Sequence, residues 1–237
     1  MGQVFLERAL SKLGVMSRSA TRRCIEEGRI SVNGRVIKNP AYLVTPETAH
    51  ITIDGRLAAK KDSCTIILNK PKGIVTTKSD EKGRRTVFDL LPDHLKHLHP
   101  VGRLDMATTG LLIMTTDTQF SNFLTDPGNQ IPRIYTVSVT SLITDADLKR
   151  LSEGIMDKGE LLKPRSITLR KASQKESHLT IELTEGKNRE IRRMFEALGS
   201  EVTALKRIAF GNLKLGSLEP GLYREITVGA IINRPGV

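Results

Sequence analysis

A chain of 237 residues is long enough for one large core, or for a small one beside a medium one. Its 37 Lys and Arg outnumber 26 Asp and Glu, and the resulting formal charge of +11 favours a nucleic-acid partner. The longest apolar runs are only a few residues, which argues against a membrane partner, and two cysteines, Cys24 and Cys64, form no zinc or disulfide pattern, as expected in a reducing cytoplasm.

Glu7, Arg8 and Lys12 interrupt the first apolar residues, so the start does not read as a secretory signal. Leu6 stands where a myristoylated Met-Gly start carries Ser or Thr. Leu6, Ala9, Leu10 and Leu13 recur at helical spacing, and Gly14 is placed to cap that helix. Ser17 is a candidate N-cap for a second helix ending near Gly28. Ile30 and Val32 alternate ahead of Asn33-Gly34, a strong hairpin signal, and Ile51–Ile53 precedes Asp54-Gly55 in the same way. Through Lys60 this stretch holds ten Lys and Arg against five Asp and Glu. Arg18 and Arg22 share a helix face, with Arg23 and Arg29 close by in sequence. A solvated charged surface would account for the charge alone. The run from Leu10 to Ala20, continued through Ile25-Glu-Glu-Gly28-Arg29 to Asn33-Gly34, resembles the S4 RNA-binding domain. The resemblance implies two helices plus short strands, with Arg18, Arg22, Arg23 and Arg29 turned to folded RNA.

Residues 57–63 are a short polar connection, which divides the chain into 1–62 and 63–237. Ile66–Leu68 reads as a strand, and Asn69-Lys70-Pro71-Lys72-Gly73 as a turn presenting two lysines. His94, His97 and His99 lack carboxylate or thiolate companions, so a polar loop is expected there and no metal site. Next comes the most informative segment, Gly102-Arg103-Leu104-Asp105 through Thr109-Gly110-Leu111-Leu112. Leu111–Met114 suits a fully covered strand, and Gly102 and Gly110 allow an irregular loop before it. An Asp held against such a strand, with Arg103 two residues away, has the chemistry of a nucleophilic carboxylate. A structural ion pair between Arg103 and Asp105 fits the spacing equally well.

Tyr135, Val137 and Val139 alternate with polar residues, the pattern of a half-buried strand with a core tyrosine. Leu179–Leu183 alternates too. In Glu185–Gly199, Ile191, Met194, Phe195 and Leu198 form one helical stripe, Arg189, Arg192 or Arg193, and Glu196 take the other face, and Gly199 ends the helix. Strands and helices intermix without a βαβ repeat. The expected fold is α+β: a small helical and stranded N-terminal domain, then a mixed, mainly antiparallel sheet flanked by helices.

The Gly102–Leu112 segment, the Asn-Lys-Pro-x-Gly turn and Glu185-Gly-Lys-Asn-Arg-Glu-Ile-Arg-Arg-Met-Phe195 together resemble the ribosomal-RNA pseudouridine synthases of the RsuA/RluB type. The resemblance implies isomerisation of one uridine in ribosomal RNA, with large-subunit RNA preferred and small-subunit RNA the alternative. It makes Asp105 the nucleophile, at C1′ or at C6, and Arg192 its ion-pair partner. Tyr135 would stack on the uracil and serve as the final base, with Arg103, Thr109, Ile191 and Leu205 around the substrate. Lys70, Lys72, Arg193, Lys206 and Arg207 would meet RNA, and the reaction would need neither metal nor organic cofactor. Arg133-Ile-Tyr135 replaces the usual Lys-x-Tyr, and Asp126-Pro127 a more usual His-Pro. A cytoplasmic monomer is expected. The rival readings are a ribosome-assembly factor that grips rRNA without chemistry, and a metal-dependent nuclease built on Asp105 and Asp117.

Overall fold

The computed structural model describes residues 2–16, 18–58 and 63–227. The described chain divides into two compact units: residues up to Cys64 with Thr115–Gln119, and Thr65–Met114 with the residues from Phe120 onward.

In the first unit the elements are β1 (Val4–Phe5), α1 (Leu6–Lys12), α2 (Arg18–Glu26), β2 (Ile30–Val32), β3 (Arg35–Val36), β4 (Leu43–Val44), β5 (Ile51–Ile53) and β6 (Arg56–Leu57). Leu6, Ala9 and Leu10 are buried, as the helical spacing requires, and Gly14 takes φ +71° just past the helix. The expected cap at Ser17 lies outside the described residues, as does part of the 57–63 connection. Both hairpins form as expected. Asn33 and Gly34 take φ of 51° and 80°, and Asp54 and Gly55 take 50° and 77°, the left-handed pair that a two-residue hairpin turn demands. The β1–β4 pairing escaped the sequence reading, because two-residue strands carry no period.

The second unit comprises β7 (Thr65–Lys70), β8 (His99–Pro100), β9 (Thr109–Thr115), α3 (Thr118–Thr125), β10 (Arg133–Val139), α4 (Asp145–Glu153), β11 (Ile155–Asp157), β12 (Glu160–Leu162), β13 (Ser166–Ala172), β14 (Ser177–Leu183), α5 (Glu190–Glu196), β15 (Val202–Phe210), β16 (Leu213–Lys214) and β17 (Tyr223–Glu225). Among the described residues nine strands make one sheet in the order β13-β14-β10-β15-β9-β7-β17, with β16 on β15 and β8 on β9. The β15–β9 pairing is parallel, and the β10–β14, β10–β15, β13–β14, β15–β16 and β7–β17 pairings are antiparallel. Residues 111–114 of β9 are fully covered, as their unbroken apolar run predicts. Leu111 and Ile113 pack with Ile67, Val101, Phe120, Leu124 and Phe210 in one core cluster.

Gly110 explains how β9 and β15 come together. It takes φ +99°, and a Cβ there would stand 2.2 Å from the Arg207 carbonyl oxygen. Only glycine permits that approach.

Candidate active site

Three segments of the second unit converge on a cleft of about 550 Å³: the loop 102–108 ahead of β9, the centre of β10 and β15, and the run 183–192 leading into α5. Gly102, Arg103, Asp105, Tyr135, Ile191, Arg192 and Leu205 all line it. All of these but Gly102 were expected in one site from the family resemblance, and the fold gathers them.

Asp105 sits on the exposed part of its loop, and the loop is anchored from beneath. Lys70 is fully buried; its Nζ donates to the carbonyls of Asp105 (3.0 Å), Thr108 (2.8 Å) and Pro71 (3.2 Å). Thr76 Oγ1 adds a bond to Leu104 O (2.8 Å) and accepts from the Leu104 N–H (3.3 Å). Burial pushes the Lys70 ammonium down to about 8, against the opposing pull of Asp105. The expectation of a Lys70 side chain presented to RNA is therefore corrected. β7 runs through Lys70 with all six residues buried, so the turn begins at Pro71 rather than at Asn69. Lys72 is exposed and outside the cleft lining.

Arg103 and Asp105 make no ion pair among the described residues, so a structural pairing does not account for this acid. The ion pair expected between Arg192 and Asp105 is also not made. Arg192 Nη1 donates to Val202 O (2.9 Å) and Nη2 to Ala107 O (3.3 Å), joining α5 to β15 and to the Asp105 loop. Its Nε is buried without an acceptor. Burial lowers the proton affinity of Arg192, Arg189 lowers it further, and Asp105 offsets part of the loss.

Tyr135 is 9% exposed and lies in register between Ile181 of β14 and Arg207 of β15, beside a bulge at Ile134/Tyr135. A bulge re-aims a side chain, here over the cleft. Thr109 lies outside the cleft lining. Its hydroxyl donates to Leu205 O (3.3 Å), tying β9 to β15, and the neighbouring Thr108 lines the cleft instead.

Four arginines expected on RNA have protein partners. Arg193 Nε meets Asp157 Oδ2 (2.5 Å), Nη1 meets Glu160 Oε2 (2.7 Å) and Nη2 donates to Asp157 O (3.0 Å), so its charge is used to hold the β11–β12 hairpin on α5. Arg207 is 3% exposed; its Nε donates to Leu111 O (2.8 Å), and its guanidinium lies 4.8 Å from the Phe210 ring centre. It lines the cleft and is no surface phosphate contact. Arg29 is held by Asp54 (2.6 and 2.9 Å) and Glu27 (3.1 Å) in the first unit. Arg22 pairs with Glu7 (2.9 Å), while Arg18 and Arg23 are exposed without an ion pair. Lys206 is half-buried opposite Thr109 and Thr136.

The sequence reading missed Arg133, Phe210, Glu190 and Thr108 as cleft residues. Arg133 and Tyr135 are two apart on one strand, so strand alternation was the signal for the first. Glu190 is 4% exposed; burial raises its pKa, and it accepts from the Lys187 N–H (3.3 Å) at the start of α5. Asp126, the departure from His-Pro, caps the turn Pro127–Asn129 by accepting from Gly128 N (2.9 Å). Asp117 accepts from Gln119 N (2.9 Å) at the start of α3, a capping role. No group of three or more His, Cys, Asp or Glu gathers to hold a metal ion among the described residues. No helix among them is long and apolar enough to cross a membrane.

Residues 6–49 match the S4 domain, and residues 64–197 match the family described as RNA pseudouridylate synthase. The chain belongs to the RNA pseudouridylate synthase family. It is an isomerase with an S4 domain ahead of its synthase domain, in an α+β fold. It is 36% identical to an uncharacterized RNA pseudouridine synthase of Aquifex aeolicus, over 98% of this chain and 93% of that protein. The ribosomal large subunit pseudouridine synthase B of Bacillus subtilis is 34% identical, over 94% and 91%. A crystal structure of a pseudouridylate synthase superposes with a TM-score of 0.68 at 28% identity, covering 96% of this chain and 98% of that one.

Proposed function

We propose that this synthase converts one uridine of ribosomal RNA, in the large subunit, to pseudouridine, with Asp105 as nucleophile. The observation that carries the reading is the placement of Asp105, Tyr135 and Arg192 on one cleft, with Lys70 fixing the backbone under the acid. Relatives at 34–38% identity named for the large ribosomal subunit support the choice of RNA.

In this mechanism the target uridine leaves its stack, at a cost of a few kcal/mol, and enters the cleft. Asp105 bonds to the sugar at C1′ or to the base at C6, the N1–C1′ bond breaks, and the base turns. A C5–C1′ bond then forms, the bond to Asp105 breaks and frees its carboxylate, the C5 proton is lost and N1 gains one. Tyr135 would pack on the ring and take that proton; Ile191 and Leu205 would exclude water. These residues need no metal or organic cofactor to do so. Residues 1–62 dock RNA, with Arg18 and Arg23 the best placed cations, and residues 63–237 do the chemistry. The enzyme works in the cytoplasm as a monomer.

The test is tritium release from ribosomal RNA transcripts bearing 5-tritiated uracil. Release by the wild-type chain that stops with Asp105→Asn is expected. No release from either ribosomal RNA would leave an RNA-gripping protein.

A further inference from the structure

The cleft floor holds a cation pair that the mechanism above does not use. Arg133 is 6% exposed and Arg207 is 3% exposed, and their guanidinium carbons lie 4.9 and 4.8 Å from the centre of one ring, Phe210. Both line the cleft, yet neither forms an ion pair among the described residues. Two buried like charges beside one another are costly unless something negative arrives. Arg133 has acceptors for its own nitrogens at Thr184 O (2.7 Å), Leu124 O (3.0 Å) and Ile131 O (3.4 Å). Arg207 has one, Leu111 O, and its Nη2 is buried with no acceptor among the described residues. A buried charged donor with an unmade hydrogen bond calls for a partner, and a ligand group entering the cleft can supply one.

The position of Arg207 is tightly set. Its own backbone is pressed against Gly110, its Nε is fixed to β9, and Tyr135 is its register partner on β10. Burial lowers the proton affinity of Arg133 most; Tyr135, Glu190 and Glu185 offset part of the loss, and Arg207 adds to it.

We infer that Arg207, backed by Arg133 and Phe210, is a catalytic electrophile that holds the uracil ring as an anion while the base is detached. The inference rests on the proposed isomerisation. When the C1′–N1 bond breaks, its electron pair leaves with the base, and the charge spreads over N1, O2 and O4. On the route through C1′, forming the C5–C1′ bond uses that pair, expels the Asp105 carboxylate from C1′ and neutralises the ring; C5 then gives up its proton and N1 gains one. Arg207 donates to a ring carbonyl oxygen, and the bond strengthens as the charge develops, which is the condition for a rate effect. A backbone phosphate is the other anion this seat could hold.

The experiment uses the whole chain and three probes: uracil, neutral at pH 7; 5-nitrouracil, largely an anion there; and inorganic phosphate. Dissociation constants by equilibrium dialysis should show 5-nitrouracil binding at least about tenfold tighter than uracil. Arg207→Gln should abolish that preference, and Arg207→Lys, which keeps the charge and the packed stem, should retain part of it. On RNA, both variants should lower kcat with little change in RNA affinity. Equal binding of the two uracils by the wild-type protein overturns the inference without any variant. So does phosphate displacing 5-nitrouracil, together with loss of RNA affinity in Arg207→Lys, which assigns the seat to the RNA backbone. Absent turnover by the wild-type chain would count against the proposed function, whereas turnover without an anion preference counts against the seat alone.

Discussion

The ammonium of Lys70, fully buried, donates to the backbone carbonyl of Asp105 at 3.0 Å. Two further carbonyls, those of Thr108 and Pro71, share the same nitrogen. The side chain of the acid is thereby left open to the cleft while its main chain is held, which is how a reactive group is kept in one place without being neutralised.

Lys70→Met tests that separation. It removes an ammonium whose burial, from 10.5 to about 8, disfavours the folded state by about 3 kcal/mol. It also strands up to three carbonyls at about 1–3 kcal/mol each. The opposing effects leave a net loss of urea-unfolding free energy of about 0–6 kcal/mol, while kcat should fall at least about tenfold because the loop under Asp105 loses its anchor. A large loss of stability with unchanged kcat would make Lys70 structural only.

The same group sets a pH dependence. With a folded pKa near 8 and an unfolded value near 10.5, the unfolded chain holds more protons between those limits. Raising the pH through this window therefore favours folding at this site. Turnover should nonetheless decline above about pH 8, as the neutral amine keeps two N–H groups for three acceptors. A pH–rate profile paired with thermal melts checks this: the alkaline decline should occur without a fall in Tm, and should be absent from the residual activity of Lys70→Met.

Gly110→Ala should be among the most damaging small substitutions in the chain. The added methyl would meet the Arg207 carbonyl at 2.2 Å, at a φ of +99° that alanine avoids. A loss of about 3 kcal/mol or more is expected in chemical denaturation, with activity lost in parallel as β9 and β15 separate. A variant of wild-type stability would show that the two strands can part freely.

Asp105→Asn should reduce tritium release by about 1,000-fold or more while leaving RNA affinity within about twofold. One carboxylate forms the bond, whereas docking is spread over many cations. Filter binding and single-turnover kinetics on one RNA provide both numbers.

In the first unit the cations divide into engaged and free. Replacing Arg18 and Arg23 together by Ala should flatten the slope of log affinity against log salt by about 1.4–1.8, the share of two phosphate contacts. Arg29→Ala should change the slope by less, since Asp54 and Glu27 already hold that guanidinium. An unaltered slope in the double variant would remove α2 from the RNA-binding surface.

What could be read from the amino acids followed from period and turn chemistry. The Asn33-Gly34 and Asp54-Gly55 turns, the covered run of β9 and the apolar stripe of α5 are each dictated within a few residues, so they were visible. The site's outline was visible through the Asp105 and Glu185–Phe195 motifs. The fate of individual cations was not. Lys70, Arg193 and Arg207 look like any basic residue in a basic chain, and their partners lie 35, 36 and 96 residues away in sequence. Alternation did carry a trace of the truth at Arg207, which falls on the inward side of β15 with Leu205 and Ala209.

β17 covers the outer side of β7, pairing Tyr223 with Leu68 and Glu225 with Ile66. The first strand of the catalytic unit, flanked by β9 on its other edge, thus finds its second neighbour some 150 residues later (Asn69 Nδ2 also reaches Leu218 O at 2.6 Å). During synthesis, β7 must wait with an open row of amide groups and a fully apolar middle until nearly the whole unit has emerged. Shortened chains that stop before Gly221 would consequently be prone to self-association by edge pairing, whatever the state of the cleft.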